Sequence, residues 1–146
     1  MQAYLDQLEV QANPLIQCPM PESKALWSDS EVLGDDDASW YRSQIGSLNY
    51  FAMTTRYDIA HPVSRLSQCA ARPTRASHTA LVRVIQYLIN TPTHNLTGQV
   101  SATDVLEYYS DSDHAGDKVH SCRSQTGSVI LRTGVSVYWR REGEPV

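Results

Sequence analysis

The hydrophobic period of this chain changes once, near residue 104, and that change limits what it can fold into. Before it, apolar residues recur at helical spacings; after it, they alternate. Leu81, Val84, Ile85 and Leu88 stand at i, i+3, i+4 and i+7, the stripe of one helix face. Thr74 is placed to cap that helix, and Asn90-Thr91-Pro92 to end it. Ile45, Leu48 and Ala52 form a second stripe, on a helix expected from about Trp40 to Met53 with Ser39 as its cap. Gly46 lies inside that helix, where it costs about 1 kcal/mol relative to Ala. A close approach of another helix is the expected reason for it. Ile59, Val63, Leu66 and Ala70 form a third stripe from Asp58 to Ala71. Asp58 suits the cap or first turn there, and Pro62 falls where a missing amide donor does least harm.

From Val105 the period is two. Val105, Glu107, Tyr109 and Asp111 share one face of a strand; Leu106, Tyr108, Ser110 and Ser112 share the other. A second strand is expected from Thr126 to Arg132 and a third from Val135 to Arg140, joined by the turn signal Thr133-Gly134. Strict alternation sets Val135, Val137 and Trp139 on one face. The polar run from Gly116 to Ser124 reads as a loop, as does the tail from Arg141 onward. The expected class is therefore α+β: a three-helix block, then a three-stranded antiparallel meander. Such a sheet leaves an apolar face open, including some of Val129, Leu131, Val137 and Trp139, so it is expected to be the less stable half.

The length of 146 residues accommodates one domain or pieces of two. No apolar run nears the ~20 residues that span a bilayer. The opening Met1-Gln2-Ala3-Tyr4-Leu5-Asp6 lacks the basic start and apolar run of a secretory leader, so an intracellular protein with no membrane partner is expected. Cys18, Cys69 and Cys122 are odd in number and far apart, which argues against a disulfide framework or a zinc site. Residues 1–38 are pattern-poor and acidic and read as a connector; residues 39–92 form the helical segment; residues 104–146 form the strands.

Charge is segregated along the chain. Residues 1–40 carry eight acids and one Lys, residues 41–103 six Arg and one Asp, and residues 104–117 five acids. Arg42, Arg65, Arg72, Arg75 and Arg83 lie off the apolar stripes. On exposed helix faces they suit sequence-blind contacts to a nucleic-acid backbone, or they are solvated charges with no partner. Asp111 sits where a rigid strand delivers a carboxylate into a turn, a common start for a divalent-cation site.

Two motifs carry a resemblance to a known family. Tyr41-Arg42-Ser43-Gln44-Ile45-Gly46-Ser47-Leu48-Asn49-Tyr50, continuing through Ala52 to Thr55-Arg56-Tyr57-Asp58-Ile59-Ala60, resembles a segment of copia-type retrotransposon polyproteins in their reverse transcriptase region. Tyr109-Ser110-Asp111-Ser112-Asp113-His114-Ala115-Gly116-Asp117, followed by Arg123-Ser124-Gln125-Thr126-Gly127 and by Tyr138-Trp139, looks like the stretch that opens the ribonuclease H domain of the same polyproteins. Asn13-Pro14 with Pro19-Met20 is similar to the family's connector ahead of the first motif. Tyr57 departs from the usual Pro, Gln125 from a small hydroxyl residue, Ser128 from an aromatic and Arg140 from a small residue.

The resemblance implies a thumb-like helical part of reverse transcriptase joined to an incomplete ribonuclease H-like fold. The parent activities it implies are RNA-directed DNA synthesis and hydrolysis of the RNA strand of RNA–DNA hybrids. It further implies that Asp111 is one catalytic ligand of a two-Mg2+ site whose other ligands are not in this sequence. The implied partners are an RNA–DNA hybrid or duplex and the remainder of the polyprotein. By the same resemblance Asp113 is a turn or cap residue and His114 a packing residue. The chain alone is expected to be inactive. A non-catalytic nucleic-acid-binding helical module and a decayed element without a selected role stand as alternatives.

Overall fold

The computed structural model describes residues 1–20, 30–94, 104–113 and 125–143. Its elements are α1 (Gln2–Leu5), α2 (Asp35–Thr54), a 3-10 turn (Tyr57–Ile59), α3 (Ala60–Ser67), α4 (Arg75–Asn90), β1 (Leu106–Asp113), β2 (Gln125–Arg132) and β3 (Val135–Gly143). The class is α+β. The chain divides into a helical unit, Met1–His94, and a sheet unit, Asn95–Val146.

In the helical unit the three apolar stripes meet in one core. Ile45, Leu48 and Ala52 of α2, Ile59, Val63 and Leu66, and Leu81, Val84, Ile85 and Leu88 of α4 are all buried together. Each such side chain contributes about 1.5–3 kcal/mol when taken from water. Tyr41 is also wholly buried, and its hydroxyl donates to the Leu66 carbonyl at 2.8 Å, tying α2 to α3. α4 begins as its sequence predicts: Thr74 Oγ1 accepts from the Ser77 N–H, and Ser77 Oγ accepts from the Thr74 N–H.

Three features of the unit differ from the sequence expectation. α2 starts at Asp35, capped by Gly34, and not at Trp40 after Ser39. Asp35, Asp36 and Asp37 form its first turn, where carboxylates are favoured by the helix dipole. Gly46 is exposed, and a Cβ added there meets nothing within 4 Å, so no helix approaches it. The stretch read as a connector supplies Leu5 and Ile16 to the core. It lies along α4, held by side chains at i, i+3 and i+7. Arg83 Nε donates to the Cys18 carbonyl at 3.1 Å, Gln86 Nε2 to that of Gln11 at 3.1 Å, and Asn90 Nδ2 to those of Asn13 at 2.6 Å and Ile16 at 3.0 Å.

Arg56 closes the unit at the end of α2. It is 2% exposed, and its guanidinium is met on every side. Nε and Nη2 donate to the Asp58 carboxylate at 3.0 and 2.8 Å, and Nη1 and Nη2 donate to the Thr91 carbonyl and Oγ1 at 2.9 and 2.7 Å. The Tyr87 hydroxyl donates to Asp58 Oδ2 at 2.9 Å, and the Tyr87 ring lies 5.6 Å from the guanidinium carbon. Burial alone would push the Asp58 carboxyl up; the hydrogen bonds from Arg56 and Tyr87 and the Arg56 charge outweigh it and hold the group below its ordinary 3.8.

In the sheet unit the strand order is β1-β2-β3, antiparallel throughout. Thr133 and Gly134, with φ of 54° and 77°, make the tight turn between β2 and β3. Tyr109, Val129 and Trp139 align across the three strands on one face, and Tyr108, Ile130 and Tyr138 on the other. The register slips between Ile130 and Leu131: Tyr138 pairs Ile130 while Ser136 pairs Leu131, which leaves Val137 as an extra residue. Val135 and Trp139 consequently lie on opposite faces, against the strict alternation expected. β3 also runs through Gly143, where a loop was expected from Arg141. The expected loop from Gly116 to Ser124 lies outside the described residues. No described residue of the sheet unit is fully buried.

Three outcomes follow. Gly46→Ala raises the stability of the helical unit by about 1 kcal/mol in urea unfolding, because an exposed helix interior gains propensity and meets no clash. Asp58→Asn strands a buried guanidinium and costs about 3 kcal/mol at neutral pH. The Asp58 contribution is complete above pH 3.8 and is lost as pH falls below that value, so acid titration of stability narrows the gap between wild type and variant. Hydrogen exchange finds α4 amides protected longer than those of β1 to β3.

Candidate functional site

Asp111 is carried by β1 and is exposed. Its cross-strand partner is Gly127, and a Cβ built on Gly127 would stand 4.0 Å from the Asp111 carbonyl oxygen. Glycine there leaves the strand face beside Asp111 bare. A two-metal site needs several carboxylates converging on ions about 3.5–4 Å apart. Among the described residues, no group of three or more His, Cys, Asp or Glu side chains comes together. The donors that are described therefore do not fit a Mg2+ pair. His114 and Asp117 lie outside the described residues.

The other acids of the sheet unit are spent on structure. Asp104 accepts two hydrogen bonds from Arg132, at 2.7 Å each, and the hydrogen bonds and charge of Arg132 hold its carboxyl below the ordinary range. Glu107 accepts from the Tyr109 hydroxyl at 3.2 Å.

The five arginines do not share one surface role. Arg42 on α2 and Arg72 before α4 are exposed. Arg75 is exposed but stands 3.5 Å from Glu31, and its N–H bonds the Glu31 carbonyl. Arg83 is half-buried and bonded to the Cys18 carbonyl. Arg65 is 6% exposed, in the last turn of α3 beside Gln68, and not on an open helix face. The acidic turn Asp35–Asp37 follows closely on Val32, which bridges to Thr74, so the surface near Arg72 and Arg75 carries both signs. Sequence reasoning passed over Arg56, the most buried Arg of the unit. Its signal was the nearby Asp58 in Arg56-Tyr57-Asp58, a spacing that lets one carboxylate reach back to the guanidinium.

Cys18 is exposed and Cys69 buried, both with free thiols; burial pushes the Cys69 thiol up, opposed by the Arg65 charge. No helix among the described residues is long and apolar enough to cross a membrane.

Comparisons with known proteins place these features in a lineage. No protein-family model matches the chain. No solved structure matches it. The chain is 39% identical over 110 residues to the retrovirus-related Pol polyprotein from transposon RE1 of Arabidopsis thaliana, across 75% of this chain and 7% of that polyprotein. It is 41% identical over 100 residues to secreted RxLR effector protein 161 of Plasmopara viticola, across 68% of this chain and 70% of that protein. It is 31% identical over 132 residues to the putative transposon Ty5-1 protein YCL074W of Saccharomyces cerevisiae, across 90% of this chain and 42% of that protein. The chain thus spans a small part of the Pol polyproteins it matches and most of one short relative. These relationships show that the chain belongs to the family of retrovirus-related Pol polyproteins of copia-type transposons and is derived from a retrotransposon.

Proposed function

We propose that the helical unit is the thumb-like end of a reverse transcriptase region, and that the sheet unit is the opening meander of a ribonuclease H-like domain. In the parent polyprotein these regions carry out RNA-directed DNA synthesis and hydrolysis of the RNA strand of hybrids. The observation that carries the reading is Asp111, exposed on the first strand of an antiparallel meander that follows a helical unit. Its support is the order of the two motifs along the chain.

The same observation argues that the chain is not a nuclease by itself. A single exposed carboxylate leaves Mg2+ mostly hydrated and cannot clamp two ions. What Asp111 does alone is hold one negative charge on a rigid strand beside the bare face at Gly127. The rest of the site would have to come from other parts of a longer polyprotein. Mg2+, when held by such a completed site, would activate water and stabilise the leaving oxygen.

A nucleic-acid-binding role without chemistry has weaker support. Arg65 is buried, Arg75 is beside Glu31 and Arg83 is bonded to Cys18, which leaves Arg42 and Arg72 as its best-presented contacts. Two such contacts give only non-specific, salt-sensitive affinity, on the order of 10⁻⁴ M.

The experiment is incubation of the purified chain with an RNA–DNA hybrid and Mg2+. The RNA strand stays intact, and Asp111→Asn behaves as wild type. Cleavage by the wild type that the variant loses would overturn the inactivity. Hybrid retained on a filter at low salt and released as salt rises, with no cleavage, would favour the binding role.

A further inference from the structure

The sheet ends on two strands that each pair on one side. Among the described residues β1 bonds only to β2, and so does β3. The outer row of N–H and C=O groups on such a strand is a template for another strand. Large side chains along both are exposed: Leu106, Tyr108 and Tyr109 on β1, Val137 and Tyr138 on β3. The two edges differ in charge. β1 carries Glu107, Asp111 and Asp113 and no base, whereas β3 carries Arg140 and Arg141 against Glu142.

We propose that a second copy of this chain adds edge to edge, with β1 of one copy alongside β3 of the next. The meander sets the direction. β1 and β3 are both antiparallel to β2 and therefore run the same way. A second copy displaced along the sheet without inversion lays its β1 parallel to β3, with C-terminal ends together. That brings the Asp111 end of one strand to the Arg140 end of the other. The Val137 bulge disrupts the first half of the β3 edge, so the new ladder runs along Tyr138–Gly143, the half that carries the arginines.

The self-pairings are worse. An antiparallel β1–β1 contact centred on Tyr109 sets Glu107 opposite Asp111, and a β3–β3 contact along the bulge-free half sets Arg140 opposite Arg141. Like charges directly opposite one another destabilise a strand pair. The β1–β3 contact is head to tail. Each added copy brings a fresh pair of edges, so the assembly grows without closing.

Sedimentation of the full chain over rising concentration tests this, at about 0.01 M and about 1 M salt, where charges act over ~30 Å and ~3 Å. At low salt the weight-average mass at least doubles; at high salt it returns to that of one chain. A single-chain mass throughout overturns the proposal. So does association that strengthens with salt, which marks stacking of apolar faces. Asp111→Lys and Arg140→Asp each stay monomeric alone, with circular dichroism confirming the strands, and an equimolar mixture of the two associates again. A mixture that stays monomeric also overturns it, and the salt arm on the wild type needs no variant.

Discussion

The helical unit depends on a buried positive charge. Arg56 lies beneath the surface at the end of α2, where an unpaired guanidinium would cost several kcal/mol. It is tolerated because Asp58, two residues on, neutralises it, and because Thr91 supplies two further oxygens from the end of α4. Tyr87 bonds the same carboxylate and covers the guanidinium with its ring. One ion pair therefore joins the end of α2, the 3-10 turn and the last turns of α4. The Thr55-Arg56-Tyr57-Asp58-Ile59-Ala60 segment, the most family-like stretch of the unit, is accordingly an architectural joint. Ile59, directly beside it, is wholly buried in the core.

The polar face of α4 is occupied by a different task. Arg83, Gln86 and Asn90 take the carbonyls of the N-terminal segment, which has no regular partner for them. Ile16 enters the core from that segment. The connector is thus an integral part of the unit, and an arginine suited to phosphate is engaged with backbone. The sheet unit has no equivalent. Its residues are half-buried at most, its edges are open, and Asp111 stands without a converging set of carboxylates among the described residues. The helical unit closes its own core, while the sheet presents faces and edges that a larger assembly would cover.

Local signals were the most legible part of the chain. α4 follows its stripe and its Thr74 cap because both act within a few residues of sequence. The two-residue turn at Thr133-Gly134 and the meander order follow for the same reason. The start of α2 was less legible, since three aspartates look like a solvated loop until their position against a helix dipole is known. Gly46 suggested a close approach that is not there. Val135 and Trp139 were expected on one face, but a single extra residue at Val137 reverses the parity of the strand. Of the candidate site, Asp111 on its strand was legible and Arg56 was not.

By itself, the sequence determined the class, the order of elements, the positions of the three apolar stripes and the descent from retrotransposon polyproteins. Each of these rests on spacing or on residues in a row. Only the tertiary structure decided which arginines are structural and which face solvent, because a guanidinium reads the same in sequence whether Asp58 and Thr91 surround it or water does. It also decided that the N-terminal segment packs on α4 and that β3 changes face midway. Those outcomes depend on side chains reaching backbone across 29 to 77 residues of chain, and on one unpaired residue in a ladder. Neither leaves a periodic trace in the sequence.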